Sequence, residues 1–349
     1  MTIYPISLLG GFAKRAEPCF PTSFEYFGLT QFVRFFVSGF IGQKLGFKRI
    51  LTPTLKSGTI PFMKLAVLAD IHANLPALEA VTADLEAWEP DQVVVAGDVV
   101  NRGPRSPECL AFVLNKIQTA GWQVLKGNHE DYVIEQSRPD SPRNGPLAHI
   151  YRHTQWTFEH LSNQSRLLET WPDDLTLFGE ANSVRVAHAS SLGKTFGLFP
   201  MMDDAELTRR VGLPIPTLFC GGHTHYPFLT RIGETLIANV GAAGLPFDGD
   251  RRGCYARFTF RHGVWQGEIV RVAYDWNRTL LDFQESGFLD QAGPMAWLVL
   301  IEFLYAKSQL YAWMRDYFDL VVAGQTTVEI TVREQLEKQG LWEEVQKYL

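Results

Sequence analysis

The chain has 349 residues, of which 46% are hydrophobic and 20% charged, with a formal net charge of −6. At roughly 150 residues per domain this length predicts about two domains with the core of an ordinary soluble globular protein. An acidic balance with no basic block disfavours a nucleic-acid partner held by phosphate neutralisation.

Cys19, Cys109, Cys220 and Cys254 are scattered, and no C-x-x-C pair occurs. This argues against a thiolate zinc site or a disulfide framework and predicts buried free thiols in a reducing compartment. The apolar stretch 27–50 is broken by Arg34, Lys44 and Lys48, and the shorter run Met295–Leu304 contains Glu302. Neither reaches the ~18 uncharged apolar residues of a membrane span. Lys14 and Arg15 follow an apolar stretch, the reverse of a signal peptide. A cytoplasmic protein with no membrane partner is expected.

Residues 1–62 are rich in Phe and Gly and carry no clean period. They are expected to be an N-terminal extension, either disordered or an artefact of a start site upstream of Met63. From Met63 the chain alternates strand and helix. The buried run Leu65–Ala69 is followed by a helix with Asn74 as its cap, Pro76 in its first turn, and Leu75, Leu78, Val81 and Leu85 on one face. A second strand is predicted over Gln92–Ala96, a second helix over Glu108–Thr119 ended by Gly121, and a third strand from Val124. The βαβαβ order implies a parallel sheet with helices packed on it.

Residues 131–175 read as mostly helical, an insertion or cap without a catalytic motif. Strand-like runs return at Ser183–Ala187, Thr217–Cys220, Thr235–Val240, Tyr255–Phe260 and Val264–Val272, the last two parted by the turn Arg261-His262-Gly263. A parallel half followed by an antiparallel half predicts a two-sheet sandwich flanked by helices. The main domain is thus expected over 63–275 and a helical C-terminal extension over 276–349. In the extension Trp297, Ile301, Leu304 and Tyr311 sit at helical spacing. Thr331 to Glu334 reads as a capping box closed by Gly340, and the tail as chemically silent.

Five motifs each fall just after a buried strand. They are Asp70-Ile-His72, Gly97-Asp98 to Gly103-Pro104, Gly127-Asn128-His129-Glu130, Ala187-His188-Ala189 and Gly221-Gly222-His223-Thr-His225. Ligands of α/β sheets gather at the carboxyl ends of strands, so these loops can meet at one site. Carboxylate, amide oxygen and imidazole together suit manganese, iron or zinc. The D-x-H and H-x-H spacings place both side chains on one side of an extended backbone, as chelation requires. Singly each motif is weak, since Asn128 after glycine is usually a turn and His188 on an apolar strand is usually a core residue. Jointly they hold five of the nine histidines, which neither core filling nor a solvated face explains.

The set D-x-H, G-D-x-x-x-R-G, G-N-H-E, H and G-H-T-H resembles the calcineurin-like metallophosphoesterase superfamily, over about Met63 to Val272, in its small bacterial phosphatase branch. The resemblance implies an α/β fold, a four-layer α/β/β/α sandwich of two mixed sheets flanked by helices, here with the helical C-terminal extension. It implies two divalent metal ions. Asp70, His72 and His225 would hold one and Asn128, His188 and His223 the other, with Asp98 bridging both. His129 would be the general acid and Arg102 a phosphate contact. These roles make physical sense. A shared carboxylate offsets the repulsion of two close cations, metals bring hydroxide within reach near neutral pH, an imidazolium can protonate the leaving alkoxide, and a guanidinium fork fits phosphate oxygens.

Two departures stand out. Asn101 replaces the Asp that supports the general acid in the superfamily's protein phosphatases, so the hydrogen bond can survive while the charge support is lost. Ala189 stands where glycine is frequent, and alanine is small enough to fit. The expected activity is hydrolysis of a phosphomonoester, a small molecule or a phosphoprotein. The alternatives are a phosphodiesterase, a dinucleoside polyphosphate hydrolase, or a non-catalytic scaffold, the last disfavoured because every ligand position is filled. His149 and His153 read as a helical cap face, and Asp248, Asp250, Arg251 and Arg252 as a polar surface turn.

Overall fold

A computed structural model describes residues 62–179 and 182–349. The expectation for the N-terminal extension falls, but for Phe62, outside them. In chain order the strands are β1 (Met63–Leu68), β2 (Gln92–Val95), β3 (Gln123–Val124), β4 (Asp174–Leu177), β5 (Val184–Ala187), β6 (Leu218–Gly221), β7 (Phe228–Ile232), β8 (Thr235–Asn239), β9 (Gly253–Arg261) and β10 (Val264–Val272). They form two five-stranded sheets, ordered β10-β9-β1-β2-β3 and β4-β5-β6-β8-β7. The described helices are α1 (Leu75–Ala87), α2 (Ser106–Ala120), α3 (Asn128–Glu135), α4 (Gly145–Ile150), α5 (Arg152–Leu161), α6 (Ser165–Leu168), α7 (Asp204–Val211), α8 (Trp276–Glu285), α9 (Phe288–Gln291), α10 (Met295–Tyr305), α11 (Leu310–Val322), α12 (Val328–Lys338) and α13 (Trp342–Gln346).

The period of two along β1 assigns its faces. Leu65 and Val67 point into a core shared with Val184, Val186, Leu218 and Leu236 of the second sheet. Ala66 and Leu68 point the other way, onto Leu78, Val81 and Leu85 of α1. Both faces are covered, so the strand reads as a continuous apolar run. Asn74 caps α1 by accepting from the Ala77 N–H, and Gly121 ends α2 in a left-handed conformation that suits glycine. On the second sheet Leu207 and Val211 of α7 pack over Phe219 and Ile237. Helix, sheet, sheet and helix make four layers.

Three sequence expectations change. The β9–β10 hairpin belongs to the first sheet, where β9 runs antiparallel to β1 with Met63 opposite Phe260, and the second sheet contains the parallel pairs β5–β6 and β6–β8. Alternation along a strand marks that it pairs but not with whom; the free edge of β1 supplied the partner. Strands β4 and β7 escaped notice, β4 lying partly inside the stretch expected to be helical. Both are edge strands of their sheet, with patchy burial that weakens the alternating signal. Finally, Thr327 rather than Thr331 caps α12, and Ala306 in a left-handed conformation stops α10 before Tyr311, which lies in the first turn of α11.

Helix α10 is apolar on every side but for Glu302 and buried along nearly its whole length. It is wrapped by Trp313, Val321, Val332 and Leu336 of the neighbouring helices, by Ile150 and Trp156 of α4 and α5, and by Leu245 and Phe247 from the loop after β8. No helix among the described residues is long and apolar enough to cross a membrane.

The loops after β2 and β3 are tied together by Glu130, the third residue of α3. Its Oε2 accepts from the N–H groups of Asp98 at 2.7 Å and Gly127 at 2.8 Å, and its Oε1 from those of Val99 at 2.8 Å and Val100 at 3.2 Å. The carboxylate is fully buried, so it serves as the acceptor for a stretch of backbone that water cannot reach. Glu130→Gln keeps the shape but presents one oxygen instead of two. With a buried donor left unmet costing ~1–3 kcal/mol, we expect a loss of about 3 kcal/mol in urea unfolding, seen as a lower midpoint with an unchanged slope. Stability equal to that of the parent chain would contradict the assignment.

Candidate metal centre

Each site residue follows the carboxyl end of a strand: Asp70 and His72 after β1, Asp98 after β2, Asn128 and His129 after β3, His188 after β5, His223 and His225 after β6. The structure brings all of them together. The means differ from the sequence expectation, because these loops are not extended. Asp70, His72, Asp98, His223 and His225 have φ of 55°, 48°, 54°, 67° and 61°. Left-handed conformations in such residues cost of order 1–3 kcal/mol each and persist only where the surroundings impose them. Here the Asp70 N–H is held by Gly97 O at 3.1 Å and the His72 N–H by Asp98 O at 3.0 Å. The loops are so close that a Cβ at Gly127 would overlap the Asp98 carboxylate, and one at Gly222 the Asp70 carboxylate.

Two donor clusters result. In the first, Asp70 Oδ1 lies 3.2 Å from His225 Nε2 and 3.8 Å from His72 Nε2, and the two imidazole nitrogens are 3.2 Å apart. Asp70 Oδ1 is buried and accepts no hydrogen bond. In the second, Asn128 Oδ1 lies 2.9 Å from both His188 Nε2 and His223 Nδ1. Asp98 Oδ2 stands between them, 3.6 Å from His72 Nε2 and 3.3 Å from His188 Nε2, while its Oδ1 accepts from the His129 N–H at 2.9 Å. Clustered lone pairs, one of them orphaned in a buried place, fit divalent cations, and Asp70, His72, His225 and Asp98, His188, His223 have the spacing to hold them. The backbone prepares two of the rings: His188 Nδ1 faces Ala96 O at 2.8 Å and His225 Nδ1 faces Leu245 O, which turns Nε2 of each toward the cluster.

The electrostatics follow burial and Asp98. Burial holds His72 and His129 well below the usual imidazole range and His223 down at about 3. Burial would also lower His188, but the Asp98 charge and hydrogen bond lift it to about 10. Burial works against the Asp98 carboxylate too, yet the neighbouring imidazoles His188 and His129 keep it well below its ordinary value.

His129 stands edge-on to His72, with ring centroids 4.8 Å apart. Its Nδ1 is 3.0 Å from Asn101 Nδ2. The Asn101 amide is oriented by its other contacts: Oδ1 accepts from the Arg102 N–H at 2.9 Å and the Thr157 hydroxyl at 3.3 Å, and Nδ2 also donates to Thr154 Oγ1 at 3.1 Å. Nδ2 therefore donates to His129 Nδ1, which places the imidazole proton on Nε2. The cap helix α5 thereby reaches the site through Thr154 and Thr157.

Arg102 is buried, with Cζ 5.8 Å from the ring centres of both Phe247 and Tyr311 and Nη1 3.1 Å from Glu302 Oε2. The C-terminal helices, expected to be chemically silent, thus supply an ion-pair partner to a predicted site residue. Sequence reasoning missed Glu302, Thr154, Thr157 and the tying role of Glu130. Glu302 carried a signal, since a lone acid within an apolar run needs a buried partner. The other candidates stay apart. His149 is exposed on α4, while His153 is buried on α5, so they share no helix face. Asp248 pairs with Arg271, Asp250 with Arg252, and Arg251 lies on the Trp276 ring.

The chain is similar to known proteins. The calcineurin-like phosphoesterase superfamily domain matches residues 63–263. The uncharacterized protein MJ0912 of Methanocaldococcus jannaschii is 26% identical over 228 residues, 60% of this chain and 88% of that one. Among solved structures, a metallophosphoesterase from Sphaerobacter thermophilus aligns with 25% identity and a TM-score of 0.55, covering 70% of this chain and 99% of its own. The hypothetical protein PH1004 of Pyrococcus horikoshii aligns with 17% identity, a TM-score of 0.58 and the same coverage, a likeness of fold. The chain belongs to the calcineurin-like phosphoesterase superfamily and is a phosphate-ester hydrolase.

Proposed function

We propose that the protein is a dinuclear metal-dependent phosphomonoesterase acting on small phosphate esters. The observation that carries this reading is the closeness of the site. Arg102, Asn128 and His129 are only 6%, 5% and 6% exposed, with α5 and the C-terminal helices packed beside them. A compact phosphate ester fits such a place better than a folded phosphoprotein does.

In this reading Asp70, His72 and His225 hold one ion, Asn128, His188 and His223 the other, and Asp98 is shared. The mixed oxygen and nitrogen donors suit manganese, iron or zinc. The ions would neutralise phosphate charge and supply a nucleophile near neutral pH. Arg102 offers its planar fork to the phosphate oxygens. As the imidazolium, His129 would protonate the departing oxygen from Nε2, its Nδ1–H then needing the Asn101 amide oxygen as acceptor. Asn101 orients that ring without the negative charge that would stabilise its protonated form.

Three outcomes are expected. With added manganese, p-nitrophenyl phosphate should be turned over faster than bis-p-nitrophenyl phosphate; hydrolysis of the diester alone would replace this reading with a phosphodiesterase, and inactivity toward every ester with a scaffold. Asp98→Ala should remove both ions in elemental analysis and abolish turnover, because it takes away the donor common to both clusters. His129→Ala should retain the ions and lose ~10²–10⁴ in rate, most for alkyl leaving groups that need a proton. Loss of metal in His129→Ala would refute its role as a proton donor.

A further inference from the structure

We propose that Glu302 of α10 is a positioning residue for the phosphate: it selects the edge of the Arg102 guanidinium that meets the substrate. The inference rests on the reading of Arg102 as a phosphate contact. Glu302 is the sole charged residue of α10 and is fully buried. It also lies beyond the region 63–263 matched to the superfamily domain, so it is a feature of this chain's C-terminal helices.

Both carboxylate oxygens are committed. Oε1 accepts from the N–H groups of Gln309 at 2.7 Å and Leu310 at 2.9 Å, at the start of α11, and from the Ser308 hydroxyl at 3.4 Å. Oε2 takes Arg102 Nη1 at 3.1 Å. A carboxylate pinned at both ends cannot swing, so it fixes the guanidinium it holds. Capping α11 does not explain the acid, because a glutamine oxygen would accept the same N–H groups, and a buried carboxylate costs several kcal/mol unless it meets a cation. The charge answers to Arg102.

Arg102 itself is held from other directions. Its backbone is left-handed at φ 69°, its Cζ is flanked by the Phe247 and Tyr311 rings, and its buried Nε has no hydrogen-bond partner. With Nη1 tied to Glu302, the free Nε edge remains for an anion. An unpaired arginine would lose rotamer freedom on gripping phosphate; one already clamped has lost it on folding.

The test is a double-mutant cycle with Glu302→Gln, Arg102→Gln and both together, read by KM for p-nitrophenyl phosphate and by inhibition with inorganic phosphate. Glu302→Gln should raise KM and the phosphate inhibition constant about tenfold and change kcat less than about threefold, with bound metal unchanged. The double variant should match Arg102→Gln alone, because Glu302 acts through Arg102. Should Glu302→Gln prove too unstable to assay, the double variant decides, since it leaves no unpaired buried charge. Unchanged KM and phosphate inhibition in Glu302→Gln, or a double variant worse than Arg102→Gln, would overturn the proposal. Phosphate inhibition unaltered in Arg102→Gln would instead overturn the phosphate role of Arg102 on which it rests.

Discussion

The Asp98 carboxylate is the point at which the two halves of this protein meet. It follows β2 of the first sheet, yet its Oδ2 lies within 3.6 Å of His72 from the same sheet and 3.3 Å of His188 from the second. A buried carboxylate among imidazoles is tolerable only when its negative charge is answered, and at an effective dielectric of ~20 two unit charges 4 Å apart interact by ~4 kcal/mol. That is the scale of attraction by which Asp98 of the first sheet lifts His188 of the second toward its charged form, at a place where cations would be favoured over protons. The geometry needs room, which explains why the loop opposite contains Gly127: any side chain there would displace the carboxylate.

Around this point the protein spends much of its polar bonding on backbone rather than on side chains. Glu130 gathers four N–H groups, and Asn239 donates to the carbonyls of Leu198 and Gly222 and to Thr224 Oγ1, so it fastens the loop that bears His223 and His225. Neither side chain needs to touch a substrate. Their work is to hold residues in left-handed conformations that an isolated loop would abandon. Positions with strained φ and positions with buried backbone acceptors coincide because the second sustains the first.

The helical parts outside the two sheets are joined to the site by direct bonds. Thr154 and Thr157 of α5 orient Asn101, and Asn101 orients His129. Glu302 of α10 orients Arg102, and Phe247 stacks on His225 at 4.2 Å between ring centres. Since α5, α10 and Phe247 share one hydrophobic core, the packing of that core and the placement of the polar groups are a single problem.

The amino-acid sequence alone determined which residues gather at the candidate site, the strands that precede them, and hence the family. Those properties are local: residue type carries ligand chemistry, and a short apolar run followed by glycine marks the end of a buried strand. The capping of α1 by Asn74 and the stop of α2 at Gly121 were legible for the same reason. The tertiary structure alone decided that β9 completes the first sheet, that Asp70 and His72 converge through left-handed turns rather than an extended strand, and that Glu302 meets Arg102 two hundred residues away in sequence. Pairing partners, imposed φ angles and a buried ion pair depend on which surfaces come to rest against each other, and no periodicity along the chain records that.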